Sequence, residues 1–193
     1  MLSNLSNILT LSRIIVIPIV VGFIAWGTPC SSAFACIVFI LAGVTDYLDG
    51  KIARARQQLS DFGRMFDPIA DKLLVGACLM VLVGYMRIPY AGLWPATIIL
   101  CREILVSGMR EYLVGYKTIL PVTRLAKWKT GFQMTAIGFL IAGDKTSILL
   151  GLPWLPIAAI GAVLLWIAAA LTLITGWDYL TVGIQHIERG EKL

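Results

Sequence analysis

Six apolar stretches dominate the chain and leave only short connections between them: Ile14 to Trp26, Ala33 to Tyr47, Ile69 to Tyr85, Leu93 to Val114, Phe132 to Ala142 with its flanks, and Ile157 to Ile174. A helix that crosses a bilayer needs about 20 mostly apolar residues. The 193 residues therefore hold at most roughly six or seven crossings and no separate aqueous domain. The expectation is an all-α integral membrane protein, with residues 1–193 forming a single membrane-embedded domain. Punctuation bounds the stretches: Gly27-Thr28-Pro29 ends the first, Arg87-Ile88-Pro89 the third, Pro121 precedes the fifth, and Pro153 and Pro156 precede the sixth. Pro18 falls inside the first stretch and is expected to kink it. The preceding segment, Leu2 to Leu11, reads as a short amphipathic helix lying at the membrane interface.

Composition agrees, since 59% of the residues are hydrophobic and 14% charged, against about 25% charged in soluble domains. The net charge of +5 is explained by Lys and Arg held on the cytoplasmic side rather than by nucleic acid. Lys51, Arg54, Arg56, Arg64 and Lys72 lie between stretches two and three, Lys117, Arg124, Lys127 and Lys129 between four and five, and Arg189 and Lys192 near the end. The alternate connections hold Arg87 and Lys145. This asymmetry places both termini in the cytoplasm and requires an even number of crossings, which six satisfies. Trp26, Trp94 and Trp154 then fall near the opposite interface. Cys30, Cys36, Cys78 and Cys101 form no C-x-x-C pair and read as packing residues. Met1 to Asn7 lacks a basic n-region and the apolar run after Arg13 has no small-residue cleavage site, which argues against a removable signal peptide. The single histidine, His186, is read as a solvated residue of a polar C-terminal tail, so no Ser-His-Asp or Cys-His arrangement is available.

The chemistry concentrates between stretches two and three, in Asp46-Tyr47-Leu48-Asp49-Gly50-Lys51-Ile52-Ala53-Arg54 and Gly63-Arg64-Met65-Phe66-Asp67-Pro68-Ile69-Ala70-Asp71. Asp46 and Asp49 share one helix face, and Asp67 and Asp71 share another. Asp67 is expected as the N-cap of the third helix with Pro68 at its first position. Helices joined by a short loop are expected to be neighbours, with the two carboxylate pairs facing each other across a gap. Four carboxylates so close would repel unless cations lay between them, a setting suited to two Mg²⁺ or Mn²⁺ ions. Gly50, Ala53 and Gly63 allow a nucleotide to approach the backbone, and Arg54 can grip its phosphates. The bland alternative is a helix cap, solvated aspartates and glycines that merely pack. Ionisable residues in membrane segments weigh against it.

The pattern D-x-x-D-G-x-x-A-R, eight residues, G-x-x-x-D-x-x-x-D resembles the signature of the CDP-alcohol phosphotransferases. The resemblance covers most of the chain and implies six transmembrane helices in that family's fold. It also implies transfer of a phosphoalcohol group from a CDP-linked donor to an acceptor alcohol with release of CMP. By resemblance, Asp46, Asp49, Asp67 and Asp71 hold the two divalent ions and Asp71 is also the general base. A homodimer is implied as well.

The fourth stretch carries Arg102, Glu103, Arg110 and Glu111 within an otherwise apolar helix. Glu103, Ser107 and Arg110 share a face, with Arg102 close to it, so the group can line one wet cavity or can pair to hold helices together. Arg124, Lys127 and Lys129 recur at helical spacing and are either a solvated positive loop or part of a site. Under the functional reading, Arg102, Arg110, Lys127 and Lys129 bind a phosphate on the acceptor. The strings Arg102-Glu103-Ile104-Leu105-Val106-Ser107-Gly108-Met109-Arg110-Glu111, Ala126-Lys127-Trp128-Lys129-Thr130 and Asn7-x-x-Thr10-x-x-Arg13 look like the branch of the family in bacteria that joins CDP-diacylglycerol to glycerol 3-phosphate in the cytoplasmic membrane. The resulting expectation is phosphatidylglycerophosphate synthesis with the site on the cytoplasmic side. The nearest alternatives are family members with other acceptors, making cardiolipin, phosphatidylserine or phosphatidylinositol. A divalent-cation transporter would instead call for midplane ligands and repeated halves, and no repeat is visible.

Overall fold

The computed structural model describes the backbone of residues 5–56, 61–89, 91–115 and 124–190. It describes side chains over 11–45, 66, 69–89, 91–113, 124–177, 179–181, 183 and 184. Among the described residues there are six helices and no strands: α1 (Leu5–Trp26), α2 (Pro29–Arg56), α3 (Asp61–Gly84), α4 (Leu93–Gly115), α5 (Arg124–Leu149) and α6 (Ile157–Gly190). Each apolar stretch forms the body of one helix; Gly27, Pro89, Pro153 and Pro156 fall in the links, Pro29 begins α2, and Pro121 lies outside the described residues.

The helix ends depart from expectation in three places. α1 runs unbroken through Pro18, so from Leu5 onward the segment read as a separate interfacial helix is the first turns of α1. The missing N–H of Pro18 leaves one carbonyl unpaired without ending the helix. α3 begins at Asp61, a residue type favoured at helix starts, so Asp67 and Pro68 lie inside the helix rather than capping it. α6 continues to Gly190, so the segment read as a polar tail carrying His186 is helical.

Contacts at one end fix the up-and-down order of the bundle. Arg87, just beyond α3, donates from Nη2 to the Ile24 carbonyl of α1 at 2.7 Å and from Nη1 to Ser32 Oγ of α2 at 3.0 Å. It also reaches the Ile141 carbonyl of α5 at 3.4 Å. The residue counted as a loop charge is thus half-buried and ties three helices together. At the same end, Gly143 (φ 62°, ψ 176°) breaks the helical path of α5 in a conformation that favours glycine. Just past it, Asp144 Oδ1 accepts a hydrogen bond of 2.9 Å from the Ala158 N–H in the first turn of α6. Trp26, Trp94 and Trp154 lie exposed here.

The interior is aliphatic, with Ile24, Leu74, Leu79, Leu82, Ile99, Ile137, Leu140, Ile141 and Leu165 fully buried. α5 packs extensively on α6, α2 packs on α1 and α5, and α3 packs on α1, α4 and α5. Among the described residues α2 and α3 are not the close neighbours expected of consecutive helices. α1 and α5 flank them both; the ends of α2 and α3 next to their short loop, where the two carboxylate pairs are expected to face each other, lie outside the residues whose side chains are described. The outer surface carries many large apolar side chains, including Ile15, Ile37, Ile40, Leu41, Val163, Trp166 and Ile167. By length and composition one described stretch, the 25-residue Ile157–Thr181, with mean hydropathy 2.6 over an 18-residue window, is long and apolar enough to cross a membrane. Leu11–Trp26 and Pro29–Thr45 are apolar but shorter.

Candidate active site

The end opposite Arg87 gathers the last turns of α2, α4 and α6 and the first turns of α3 and α5. Asp46, Asp49, Gly50, Ala53 and Arg54 lie on α2, and Gly63, Asp67 and Asp71 on α3. The side chains of Asp46, Asp49, Arg54 and Asp67, and the surroundings of Gly50, Ala53 and Gly63, fall outside the described residues. Asp71 is described: it is exposed and lines a cavity of about 310 Å³.

That cavity also receives Arg102, Glu103, Ser107 and Arg110 from α4, Lys129 from α5 and Tyr179 from α6. The shared helical face expected for Glu103, Ser107 and Arg110 therefore does border one polar space, and the same charges also pair across helices. Glu103 accepts from the Lys129 ammonium and lies 3.8 Å from an Arg102 guanidinium nitrogen. Lys129 is only 4% exposed, and an ammonium so buried needs the carboxylate beside it to offset lost hydration. Lys127, by contrast, is exposed on α5 and does not line the cavity.

Two features escaped the sequence reading. Tyr179 lies under both guanidinium groups, with Arg102 Cζ 5.5 Å and Arg110 Cζ 5.6 Å from its ring centroid. Arg110 Nη2 also donates to its hydroxyl at 3.5 Å, and Arg102 Nη2 donates to Thr175 Oγ1 at 3.1 Å. Thr172, Thr175, Gly176 and Tyr179 recur at the spacing of one helix face, a polar stripe through an apolar helix that marks a lined site. Gly176 lets Arg102 pass, since a Cβ there would sit 3.0 Å from Arg102 Cγ. The second feature is Gln133, one turn along α5 from Lys129 and 3% exposed.

An apolar groove of about 610 Å³ runs between α2 and α5, lined by Phe39, Ile40, Gly43, Met134, Gly138 and others. Gly43 and Val44 at its edge lie within one turn of Asp46. Met134 borders both this groove and a small polar recess beside Asp71.

The donor set suits a hard divalent cation. Asp46, Asp49, Asp67 and Asp71 offer oxygen ligands only, the type that Mg²⁺ and Mn²⁺ take, and the described member, Asp71, is accessible from the cavity.

A family model described as CDP-alcohol phosphatidyltransferase matches residues 3–174. The chain belongs to that family. The resemblance read from the aspartate motif therefore holds over most of this family member. Its relatives include a Rickettsia typhi protein named CDP-diacylglycerol--glycerol-3-phosphate 3-phosphatidyltransferase, 44% identical over 92% of this chain and 96% of that one. Proteins of the same name from Cereibacter sphaeroides and Bacillus subtilis are 39% and 34% identical, each match covering more than 90% of both chains.

Proposed function

We propose that this enzyme transfers the phosphatidyl group of CDP-diacylglycerol to glycerol 3-phosphate, giving phosphatidylglycerophosphate and CMP. The observation that carries the reading is the single cavity in which Asp71 adjoins Arg102, Arg110 and Lys129. It sets a candidate base beside cations able to hold an acceptor's phosphate. The name shared by the relatives agrees, and the apolar groove beside Asp46 suits the acyl part of the donor.

In the mechanism, Asp71 takes the proton of the acceptor's primary hydroxyl. That oxygen bonds to the phosphatidyl phosphorus in line, and the bridging P–O bond breaks with its electron pair going to CMP. Asp46, Asp49, Asp67 and Asp71 would hold two divalent ions, which when bound neutralise charge on the pyrophosphate and the leaving group. Arg54, with Gly50, Ala53 and Gly63 around it, serves the CDP moiety. Arg102, Arg110 and Lys129 orient the acceptor phosphate, and Lys127 contributes to the positive approach. The chain forms one domain of six crossings in the bacterial cytoplasmic membrane and acts as a homodimer, with the first turns of α1 at the interface and both termini and the site on the cytoplasmic side. The exposed apolar surface, the basic residues around Asp71 and the tryptophans at the far end support this placement.

The test is purified enzyme supplied with radiolabelled CDP-diacylglycerol and, separately, glycerol 3-phosphate, serine, inositol or phosphatidylglycerol, with identification of the lipid product. Phosphatidylglycerophosphate formed with glycerol 3-phosphate is the expected outcome. Product formed only with another acceptor overturns the assignment.

A further inference from the structure

We infer that Gln133 is the residue that recognises the secondary hydroxyl of the acceptor, a specificity role that rests on the function proposed above. Gln133 faces a recess of about 30 Å³ that it shares with Asp71, Lys72, Glu103, Thr130, Val75 and Met134. Asp71, Lys72, Glu103 and Thr130 border both this recess and the larger cavity of Arg102, Arg110 and Lys129, so the two spaces adjoin at the proposed base. Gln133 is 3% exposed, and its Oε1 has no hydrogen-bond partner among the described residues. An unpaired buried amide is costly. It occupies the face of α5 on which Ala136, Ile137, Leu140 and Ile141 are buried, where an apolar side chain would be the more stable choice. A polar group kept at such a cost is explained by a ligand.

Size and chemistry name the ligand group. A volume of about 30 Å³ accommodates a water or a hydroxyl, whereas the adjoining space of about 310 Å³ has room for a phosphate and a short carbon chain. A carboxamide both donates and accepts, as a hydroxyl does. With the primary hydroxyl of glycerol 3-phosphate at Asp71 and its phosphate toward Arg102, Arg110 and Lys129, the hydroxyl on the carbon between them is the group left for Gln133. In the free enzyme a water can take that place.

The experiment compares glycerol 3-phosphate with 3-hydroxypropyl phosphate, which lacks only the secondary hydroxyl, in the wild type and in Gln133→Leu and Gln133→Met. Circular dichroism and gel filtration in detergent check that the variants fold. The wild type is expected to favour glycerol 3-phosphate in kcat/KM by on the order of ten- to a hundred-fold. Both variants should lose that preference by losing activity on glycerol 3-phosphate alone, with the KM for CDP-diacylglycerol unchanged. Equal use of the two acceptors by the wild type overturns the inference whatever the variants do. An equal fall with both acceptors in folded variants also overturns it, because Gln133 then acts through Asp71 or the packing. Failure of the wild type to use glycerol 3-phosphate at all overturns the proposed function itself, and this role with it.

Discussion

The Glu103 carboxylate on α4 accepts a hydrogen bond from the Lys129 ammonium on α5, so a nearly buried cation at the edge of the candidate site is held by a partner on another helix. Replacing the carboxylate by an amide removes the negative charge nearest that cation and leaves it, among the described residues, the influence of Asp71 alone. Glu103→Gln is expected to lower stability by about 2 kcal/mol, as lost hydrogen bonds to charged groups do. The double variant Glu103→Gln/Lys129→Met should regain part of that stability, because the buried Lys129 charge is gone while the Arg102 guanidinium still lacks the Glu103 carboxylate, yet bind the acceptor poorly. Thermal unfolding in detergent beside acceptor KM measures both. Unchanged stability in Glu103→Gln would show that the pair contributes nothing.

Arg110 and Arg102 flank the ring of Tyr179, so the ring positions both. Arg110→Ala should raise the KM for glycerol 3-phosphate roughly ten- to a hundred-fold while sparing that for CDP-diacylglycerol. Tyr179→Phe keeps the platform and loses the 3.5 Å contact to the hydroxyl, so its effect should be a few-fold at most. Tyr179→Ala should approach the Arg110 variant. Steady-state kinetics with each substrate varied in turn distinguishes these outcomes from a uniform loss caused by misfolding.

How far the sequence anticipates this arrangement depends on what kind of information each part needs. Six helices follow from apolar runs and their Gly and Pro boundaries, both local signals. Ser107 and Arg110 were placed beside Glu103 by helical spacing alone, which needs no partner helix. Tyr179 and Gln133 are different. Their meaning depends on α6 lying against α4 and on α5 turning one face toward Asp71, which no local pattern states. Arg87 misleads for the same reason: charge counting treats it as a loop residue, while its partners, two carbonyls and the Ser32 hydroxyl, come from three helices. The start of α3 differs from the expectation because Asp67-Pro68 imitates a helix beginning that Asp61 supplies earlier.

Chelation should abolish turnover. Four carboxylates beside a pyrophosphate repel it and one another without cations, so excess EDTA is expected to stop product formation and added Mg²⁺ or Mn²⁺ to restore it. Asp71→Asn should lower kcat on the order of 10²–10⁴-fold while donor binding stays measurable, as loss of a general base does. Full turnover in EDTA would refute the metal requirement, and near-wild-type kcat in Asp71→Asn would remove Asp71 from the role of base.

Gly176 offers a test that touches no charged group. A Cβ there would lie 3.0 Å from Arg102 Cγ and 3.5 Å from its Nε, so Ala at this position must push the Arg102 stem by a few tenths of an ångström and Val by more. The guanidinium would then leave Thr175 Oγ1, from which it stands 3.1 Å, and its place over Tyr179. Small displacements of orienting groups cost rate steeply, so Gly176→Val should raise the acceptor KM by about tenfold and Gly176→Ala by less, with the donor KM unaffected. A Cβ added at Gly22 on α1 would meet open space, and Gly22→Ala should leave both KM values unchanged, which controls for the loss of a helical glycine as such. If Gly176→Val leaves acceptor KM unchanged in folded enzyme, the approach of α6 does not hold Arg102 in place, and its contacts with Thr175 and Tyr179 are incidental to acceptor binding.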